Sequence, residues 1–306
     1  MRNGHFDSKN ARKRSARNRR ANHLQIYRPR KRTNTLKGKA MIKVGFIGAG
    51  NMGSALARAA QKTGIADVFI FDKDESKAKS LAKEIGASYA NNAKIASECD
   101  YIFLAVKPDI IANAAKDILP VLKERKNYAV VSMAAGVSLD SLANAFCGTD
   151  APIIRIMPNT PASVGKGMTL WCRNEFVSDG LASGFEAVMK ESGMLDSIPE
   201  KLIDAASALS GCGPAFVYMF IEALADGAVA CGLPRDKSLA YACETLIGAA
   251  ETVKASGRHP EELKDAVCSP GGSTIAGVRA LEEGAFRAAS SGAVIAAYKK
   301  TLTLGK

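Results

Sequence analysis

Gly48-Ala49-Gly50-Asn51-Met52-Gly53 has the spacing G-x-G-x-x-G. Such a loop carries chemistry when it directly follows a strand and opens a helix. Here the apolar run Lys43–Ile47 precedes it, and Asn51–Thr63 sets Met52, Ala55, Leu56 and Ala59 on one helical face. In that setting Gly48 permits the tight turn, Gly50 lets the backbone approach a pyrophosphate, and Gly53 lets the helix pack close to the sheet. The helix N-terminus then offers free N–H groups and a positive dipole end to the phosphates. The spacing therefore points to a dinucleotide. Asp72 follows Gly53 by 19 residues, where an acid would bond the ribose hydroxyls of NAD. Lys73 beside it would instead pair with the 2′-phosphate of NADP. The two side chains oppose each other, so both NAD and NADP stay open.

A nicotinamide enzyme acting on an alcohol or ketone must also move a proton, commonly with His, or with Tyr and Lys. Of three His, two (His5 and His23) lie in the first forty residues, which leaves His259. A multi-His metal site is thereby excluded, and no metal is expected. His259 stands in Gly257-Arg258-His259-Pro260-Glu261-Glu262, which reads as a helix break with proline opening the next helix. A solvent-side turn histidine is favoured there over a catalyst. The Tyr-x-x-x-Lys spacing occurs only at Tyr27/Lys31, in the basic segment. Lys107 remains a candidate acid, although Pro108 beside it suggests a loop at a strand end. An imine substrate removes the difficulty, because a protonated imine brings its own proton and electrophilicity. Hydride delivery then needs mainly positioning and one hydrogen-bond partner at nitrogen.

Ser269-Pro270-Gly271-Gly272-Ser273-Thr274 suits that chemistry. It enters a helical segment with apolar Ile275, Val278 and Leu281. A Gly-rich approach to a helix presents several backbone N–H groups, a nest for a carboxylate, and three hydroxyls stand beside them. A helix cap with a flexible approach is the equally open alternative. Ser210-Gly211-Cys212-Gly213-Pro214-Ala215 is a second turn with Pro near a helix start.

The elements that must position these residues follow from periodicity. Met41–Ile47, Val68–Phe71, Tyr101–Val106, Tyr128–Met133, Pro152–Met157 and Met168–Trp171 read as strands, and Glu75–Ile85 as an amphipathic helix ended by Gly86. Continuous apolar strands alternating with helices indicate a parallel sheet covered on both faces. After about residue 200 the strands stop. Ala215–Cys231 is apolar apart from Glu222, Asp226 and little else. A helix with so narrow a polar stripe is nearly all buried, and a dimer interface is preferred over an internal core as the place that buries it.

Composition bounds the rest. The 306 residues carry a net charge of +12, but fourteen Lys/Arg and a single acid, Asp7, lie in residues 1–40, so the body is close to neutral. The body accordingly offers no nucleic-acid surface. The basic segment lacks an apolar pattern and cannot offset its ordering entropy. A nucleic-acid arm and an organelle transit peptide are its functional readings, and a plain extension before Met41 is the favoured one. The longest uncharged run, Ala205 to Ile221, is seventeen residues, short of the roughly 20 that span a bilayer. No secretory signal is visible, and the seven Cys lack C-x-x-C spacing. A reduced, cytoplasmic protein without a membrane segment is expected.

Together the motifs resemble the pyrroline-5-carboxylate reductase family. The stretches that carry the resemblance are VGFIGAGNMGSAL (44–56), FLAVKP (103–108), VSMAAGV (131–137), RIMPNTP (155–161), ALSGCGPAF (208–216), GLPR (232–235) and LKDAVCSPGGSTIAGVRALEEGAFRAA (263–289). The resemblance implies an α/β fold, with an N-terminal Rossmann-type doubly wound domain (41–200) and a C-terminal all-helical substrate-binding and dimerisation domain (201–306). It implies NAD(P)H-driven reduction of pyrroline-5-carboxylate to L-proline, the last step of proline biosynthesis, by a homodimer or higher homo-oligomer. It places the cofactor on Gly48–Gly53, with Asn92 near the adenosine ribose. Ala105-Val106-Lys107-Pro108 and Met133-Ala134-Ala135 line the phosphate and nicotinamide end. It places the substrate carboxylate on Ser269, Gly271, Gly272 and Ser273, with the Thr274 hydroxyl at the ring nitrogen. Two departures stand out: Asp72-Lys73 replaces an Asn-Arg or Ser-Arg pair, and Cys212, a weaker donor, replaces a serine.

Overall fold

The computed structural model describes residues 41–146 and 149–303, so the basic segment 1–40 lies outside the described residues. Val-, Ile- and Phe-rich runs form the first strands, and helices with one apolar stripe cross between them. β1 (Ile42–Ile47) leads through the glycine loop into α1 (Asn51–Lys62), then β2 (Ala66–Phe71) and α2 (Glu75–Ile85). The Asp74 side chain caps α2 by accepting from the Lys77 N–H at 3.1 Å, and Gly86 ends it at φ 69°. β3 (Ser88–Tyr89), α3 (Asn92–Glu98), β4 (Tyr101–Leu104), α4 (Ile111–Leu122), β5 (Ala129–Ser132), α5 (Leu139–Ala145) and β6 (Ile153–Met157) continue the alternation. β7 (Gly167–Arg173), α6 (Asp179–Met189) and β8 (Gly193–Ser197) complete one eight-stranded sheet of order β3-β2-β1-β4-β5-β6-β7-β8.

The sheet is parallel from β3 to β6, as the apolar runs predict, but β7 runs antiparallel to β6, with Ile156 opposite Trp171. β8 returns parallel to β7. The all-parallel expectation is corrected at this one joint. Only residues 158–166 separate β6 from β7, and a parallel return needs a crossover of about a dozen residues or more. Both faces are covered. Phe46, Phe103 and Phe185 stack on one face, with Phe46 and Phe103 centroids 4.5 Å apart. Ile95, Ile102, Ile118, Leu142 and Phe146 fill the other.

Helices alone follow: α7 (Glu200–Ser210), α8 (Gly213–Ala230), α9 (Arg235–Ser256), α10 (Pro260–Ala266), α11 (Ser273–Glu283) and α12 (Phe286–Thr301). The chain divides into two compact units, 221–284 on the one hand and the remaining described residues on the other. In the larger unit Phe286 of α12 lies against Phe220, with centroids 5.3 Å apart. In the smaller unit Asp226 pairs with Arg235, and the Ser238 hydroxyl donates to the Pro234 carbonyl at 3.0 Å. Of α8 only Ala225 is buried within a single chain, and α11 and α12 have no buried residue. By length and composition Glu200–Ala230 would also reach across a bilayer, with mean hydropathy 1.4. The turn at Gly211-Cys212 divides it into α7 and α8.

Candidate active site

The carboxyl ends of β1, β2 and β4 open onto a cleft of about 640 Å³, where a doubly wound sheet holds a dinucleotide. The glycines shape its floor. Gly48 lies at φ 110°, and a Cβ there would meet the Ala105 carbonyl oxygen at 2.3 Å. A Cβ on Gly53 would stand 2.5 Å from the Gly48 oxygen and 2.8 Å from the Ala105 Cβ, so α1 packs directly on the turn. A Cβ on Gly50 would meet nothing within 4 Å; its absence leaves the backbone open to a ligand above the start of α1. The tight turn at Gly48 and the close packing at Gly53 are those the spacing predicts, and the backbone at Gly50 is left open. A loop of this shape at a helix N-terminus has room and free backbone donors for a phosphate group.

Of the predicted cofactor residues, Gly48, Gly50, Asp72, Lys73, Asn92, Ala105, Val106 and Lys107 line the cleft. Ala49, Asn51, Met52 and Gly53 belong to the loop and the first turn of α1 beneath it. Pro108 opens a short 3-10 turn, Pro108–Ile110. Met133, Ala134 and Ala135 follow β5, whose Ser132 pairs with Leu104 of β4. Those three residues therefore sit at the neighbouring strand end rather than in this cleft. The Nδ2 of Asn92 donates to Asp117 at 3.3 Å, and its Oδ1 is buried without a partner.

The sequence reading missed Lys77 of α2 and Lys116 of α4, which also line the cleft. With Lys73 and Lys107 they make four lysines, none in an ion pair among the described residues, against the carboxylates of Asp72 and Asp117. Lys77 had a signal: it falls four residues after Lys73, in the first turn of the helix that Asp74 caps. The cleft suits the polyanion NADP in shape and in sign.

Asp72 does more than line the wall. Its Oδ2 accepts the Ala49 N–H at 2.6 Å and its Oδ1 accepts the Asp74 N–H at 3.0 Å. One carboxylate thus joins the glycine loop to the end of β2.

The second predicted site lies in the smaller unit. Ser269-Pro270-Gly271-Gly272 closes a turn in which the Gly272 N–H donates to the Ser269 carbonyl at 3.0 Å. Pro270 follows the first residue and Gly271 lies at φ 70°, the pattern of a type II turn. Gly272 is the N-cap of α11 and supplies no side chain to it. The first N–H groups of α11 are left for a ligand or water. Ser269, Ser273 and Thr274 are exposed in the single chain, and their hydroxyls have no partner among the described residues. His259 caps α10 instead: its Nδ1 accepts the Glu261 N–H at 3.2 Å. That is the turn role expected of it.

Buried polar groups brace the larger unit. Arg155 of β6, 4% exposed, reaches Glu200 at 2.9 Å and Asp204 at 3.0 Å. The same Glu200 Oε1 accepts the Leu139 N–H at 2.7 Å. Asn159 accepts from the Met168 N–H and donates to the Ser210 carbonyl, both at 2.8 Å. These contacts fix the end of α7, and so the Ser210–Gly213 turn, to the sheet.

Sheet and cleft together define a dinucleotide-binding protein of the Rossmann class, and the comparisons with known proteins narrow that class. Residues 43–136 match the family described as NADP oxidoreductase, coenzyme F420-dependent. Residues 200–304 match the family described as pyrroline-5-carboxylate reductase dimerisation. The pyrroline-5-carboxylate reductase of Escherichia coli is 41% identical over 268 residues, covering 86% of this chain and 98% of that protein. The reductase of Arabidopsis thaliana is 37% identical, covering 86% and 96%. A crystal structure of the Plasmodium falciparum enzyme with NADP bound superposes with a TM-score of 0.78 at 35% identity, covering 87% of this chain and 98% of that one. The chain belongs to the pyrroline-5-carboxylate reductase family.

Proposed function

We propose that this protein reduces the cyclic imine 1-pyrroline-5-carboxylate to L-proline, the last step of proline biosynthesis, with NADPH or NADH as hydride donor. The observation that carries the reading is the Ser269–Thr274 turn at the start of α11. It offers backbone N–H groups and three hydroxyls that have no partner among the described residues, without an acid–base side chain beside them in sequence. That set binds a carboxylate and an imine nitrogen, and it lacks the proton donor that a ketone would need. The reduced nicotinamide, when bound, supplies the hydride. The imine carbon takes it, the C=N bond becomes a C–N single bond, and the protonated nitrogen becomes the amine of proline. In this reading the backbone at Gly271–Ser273 and the Ser269 hydroxyl hold the carboxylate, and the Thr274 hydroxyl bonds the ring nitrogen. Gly48–Gly53, Asp72, Lys73, Asn92, Ala105–Pro108 and Met133–Ala135 serve the cofactor.

Residues 41–200 form the dinucleotide domain in this assignment, and 201–306 the substrate and dimerisation domain. The dimerisation match over 200–304 supports a homodimer or a larger homo-oligomer. In this reading the body, residues 41–306, works in the cytoplasm apart from membranes and nucleic acid, and a nucleic-acid role for the basic residues 1–40 stays open. Oxidation of NADPH, followed by absorbance with pyrroline-5-carboxylate as substrate, tests the reading. Turnover with the imine and proline as product is expected. Turnover with a small hydroxy acid or keto acid, and none with the imine, would replace it.

A further inference from the structure

An acid at the end of β2 is ordinarily the group that selects NAD, because it bonds the ribose hydroxyls and repels a 2′-phosphate. Here that carboxylate is already engaged. The Ala49 N–H at 2.6 Å and the Asp74 N–H at 3.0 Å take one oxygen each. Ala49 is itself 1% exposed, and its carbonyl accepts the Ser54 hydroxyl at 3.0 Å, so the residue that Asp72 holds is the fixed centre of the glycine loop. The cations of this end of the cleft are uncommitted. Lys73 and Lys77 both line it, both are exposed, and neither is in an ion pair among the described residues.

We propose that Asp72 is a positioning residue, a latch that gives the Gly48–Gly53 loop its phosphate-binding shape, and that Lys73 and Lys77 together recognise the cofactor's 2′-phosphate. The inference rests on the cleft being the dinucleotide site. The acid acts equally on NADPH and NADH, because both share the pyrophosphate that the loop cradles. The two lysines act on NADPH alone, because only it carries the third phosphate group. Preference for NADPH thus coexists with an acid at the position that usually forbids it, since two backbone donors hold its negative charge against the loop.

The test compares binding with no turnover required. Dissociation constants for NADPH, NADH and adenosine 2′,5′-bisphosphate are measured by calorimetry for the wild type, Asp72→Asn and Lys77→Gln. The asparagine amide keeps one acceptor and turns a donor toward the second N–H. Asp72→Asn should therefore weaken NADPH and NADH by the same factor, about 10-fold. Hydrogen exchange of the peptide spanning 44–56 should quicken in that variant without any cofactor present. Lys77→Gln lies on a helix surface and keeps the fold. It should weaken NADPH and adenosine 2′,5′-bisphosphate about 5- to 10-fold and leave NADH unchanged. A gain in NADPH relative to NADH in Asp72→Asn would overturn the proposal, making Asp72 the discriminator. So would unchanged 2′-phosphate binding in Lys77→Gln. Wild-type protein that bound neither nucleotide would instead overturn the cofactor reading beneath it.

Discussion

Thr274 carries the sharpest chemical expectation at the scale of single residues. It occupies the first turn of α11, where backbone donors already favour an anion. Hydride transfer makes the ring nitrogen more basic, so a hydroxyl bonded there gains strength as the reaction proceeds. Thr274→Val keeps the shape and removes only the hydroxyl. A loss of about 10- to 1000-fold in kcat/KM is expected, with NADPH affinity unchanged. Wild-type turnover in that variant would remove Thr274 from the site, and equal losses in cofactor and substrate binding would make the loop structural. The cysteines give a second expectation. Burial pushes the Cys99 thiol up to about 12 and the Cys172 thiol up to about 11. A raised thiol stays protonated until the solution approaches that value, so neither is a nucleophile at neutral pH. Iodoacetamide at pH 8 should spare Cys99 and Cys172 in the native protein and modify both after denaturation; native labelling of either would contradict their burial. What could be read from the sequence at this scale was residue type and spacing. The three glycines, Lys73 and the turn role of His259 were visible. The engagement of Asp72 with Ala49 was not, because it depends on where two strand ends meet across 23 positions.

Elements gather these residues, and a close tolerance lies between α1 and the glycine loop after β1. Gly53→Ala would place a Cβ 2.5 Å from the Gly48 carbonyl oxygen, a backbone atom that cannot swing aside. α1 would have to lift from the sheet. The expected cost is about 1–3 kcal/mol of stability, seen as a lower urea midpoint, together with a marked loss of NADPH affinity. Gly50→Ala meets no protein atom. It should keep wild-type stability while weakening NADPH, since its methyl would occupy the ligand's space. The pair of variants separates packing from binding, and a stability loss in Gly50→Ala would reverse the assignment. Elements with strong periodicity were legible before the structure: α2 spans Glu75–Ile85 as its pattern predicts, and β1, β2 and β4 begin or end within two residues of their apolar runs. β3 and β8 were not. Ser88–Tyr89 is two residues long, and Gly193–Ser197 is an edge strand whose side chains are largely exposed, so neither carries an apolar run. The direction of β7 escaped for another reason. An apolar run has no polarity, and the nine residues 158–166 were the signal that would have shown it.

At the scale of the whole molecule, the sheet and the helical segment after residue 200 handle apolar surface differently. The sheet buries Phe46, Phe103, Ile70 and Leu104 completely. In the helical segment Met219 is 70% exposed, Val267 65% and Ile247 52% within one chain. Apolar exposure on this scale marks a surface meant for another protein, and the dimerisation match over the same residues supports a copy of this chain as that partner. Glu222 is one of two charges on that helix, and the other, Asp226, is matched by Arg235 from the same chain. Beside those two charges, Val217, Tyr218, Met219 and Leu224 are exposed on the same helix. Residues 200–304 match a family defined by dimerisation. Met219→Glu would bring an unpaired carboxylate into such an interface, where desolvating a charge without a partner costs several kcal/mol. The variant is expected to sediment as a monomer at concentrations where the wild type is a dimer or larger. NADPH affinity should persist, because every residue lining the cleft lies between positions 47 and 117. Reductase turnover should fall if the helical segment needs its partner to present the Ser269–Thr274 turn. A Met219→Glu protein that remained fully associated would place the interface on another face. A monomer with undiminished turnover would show that one chain holds a complete site.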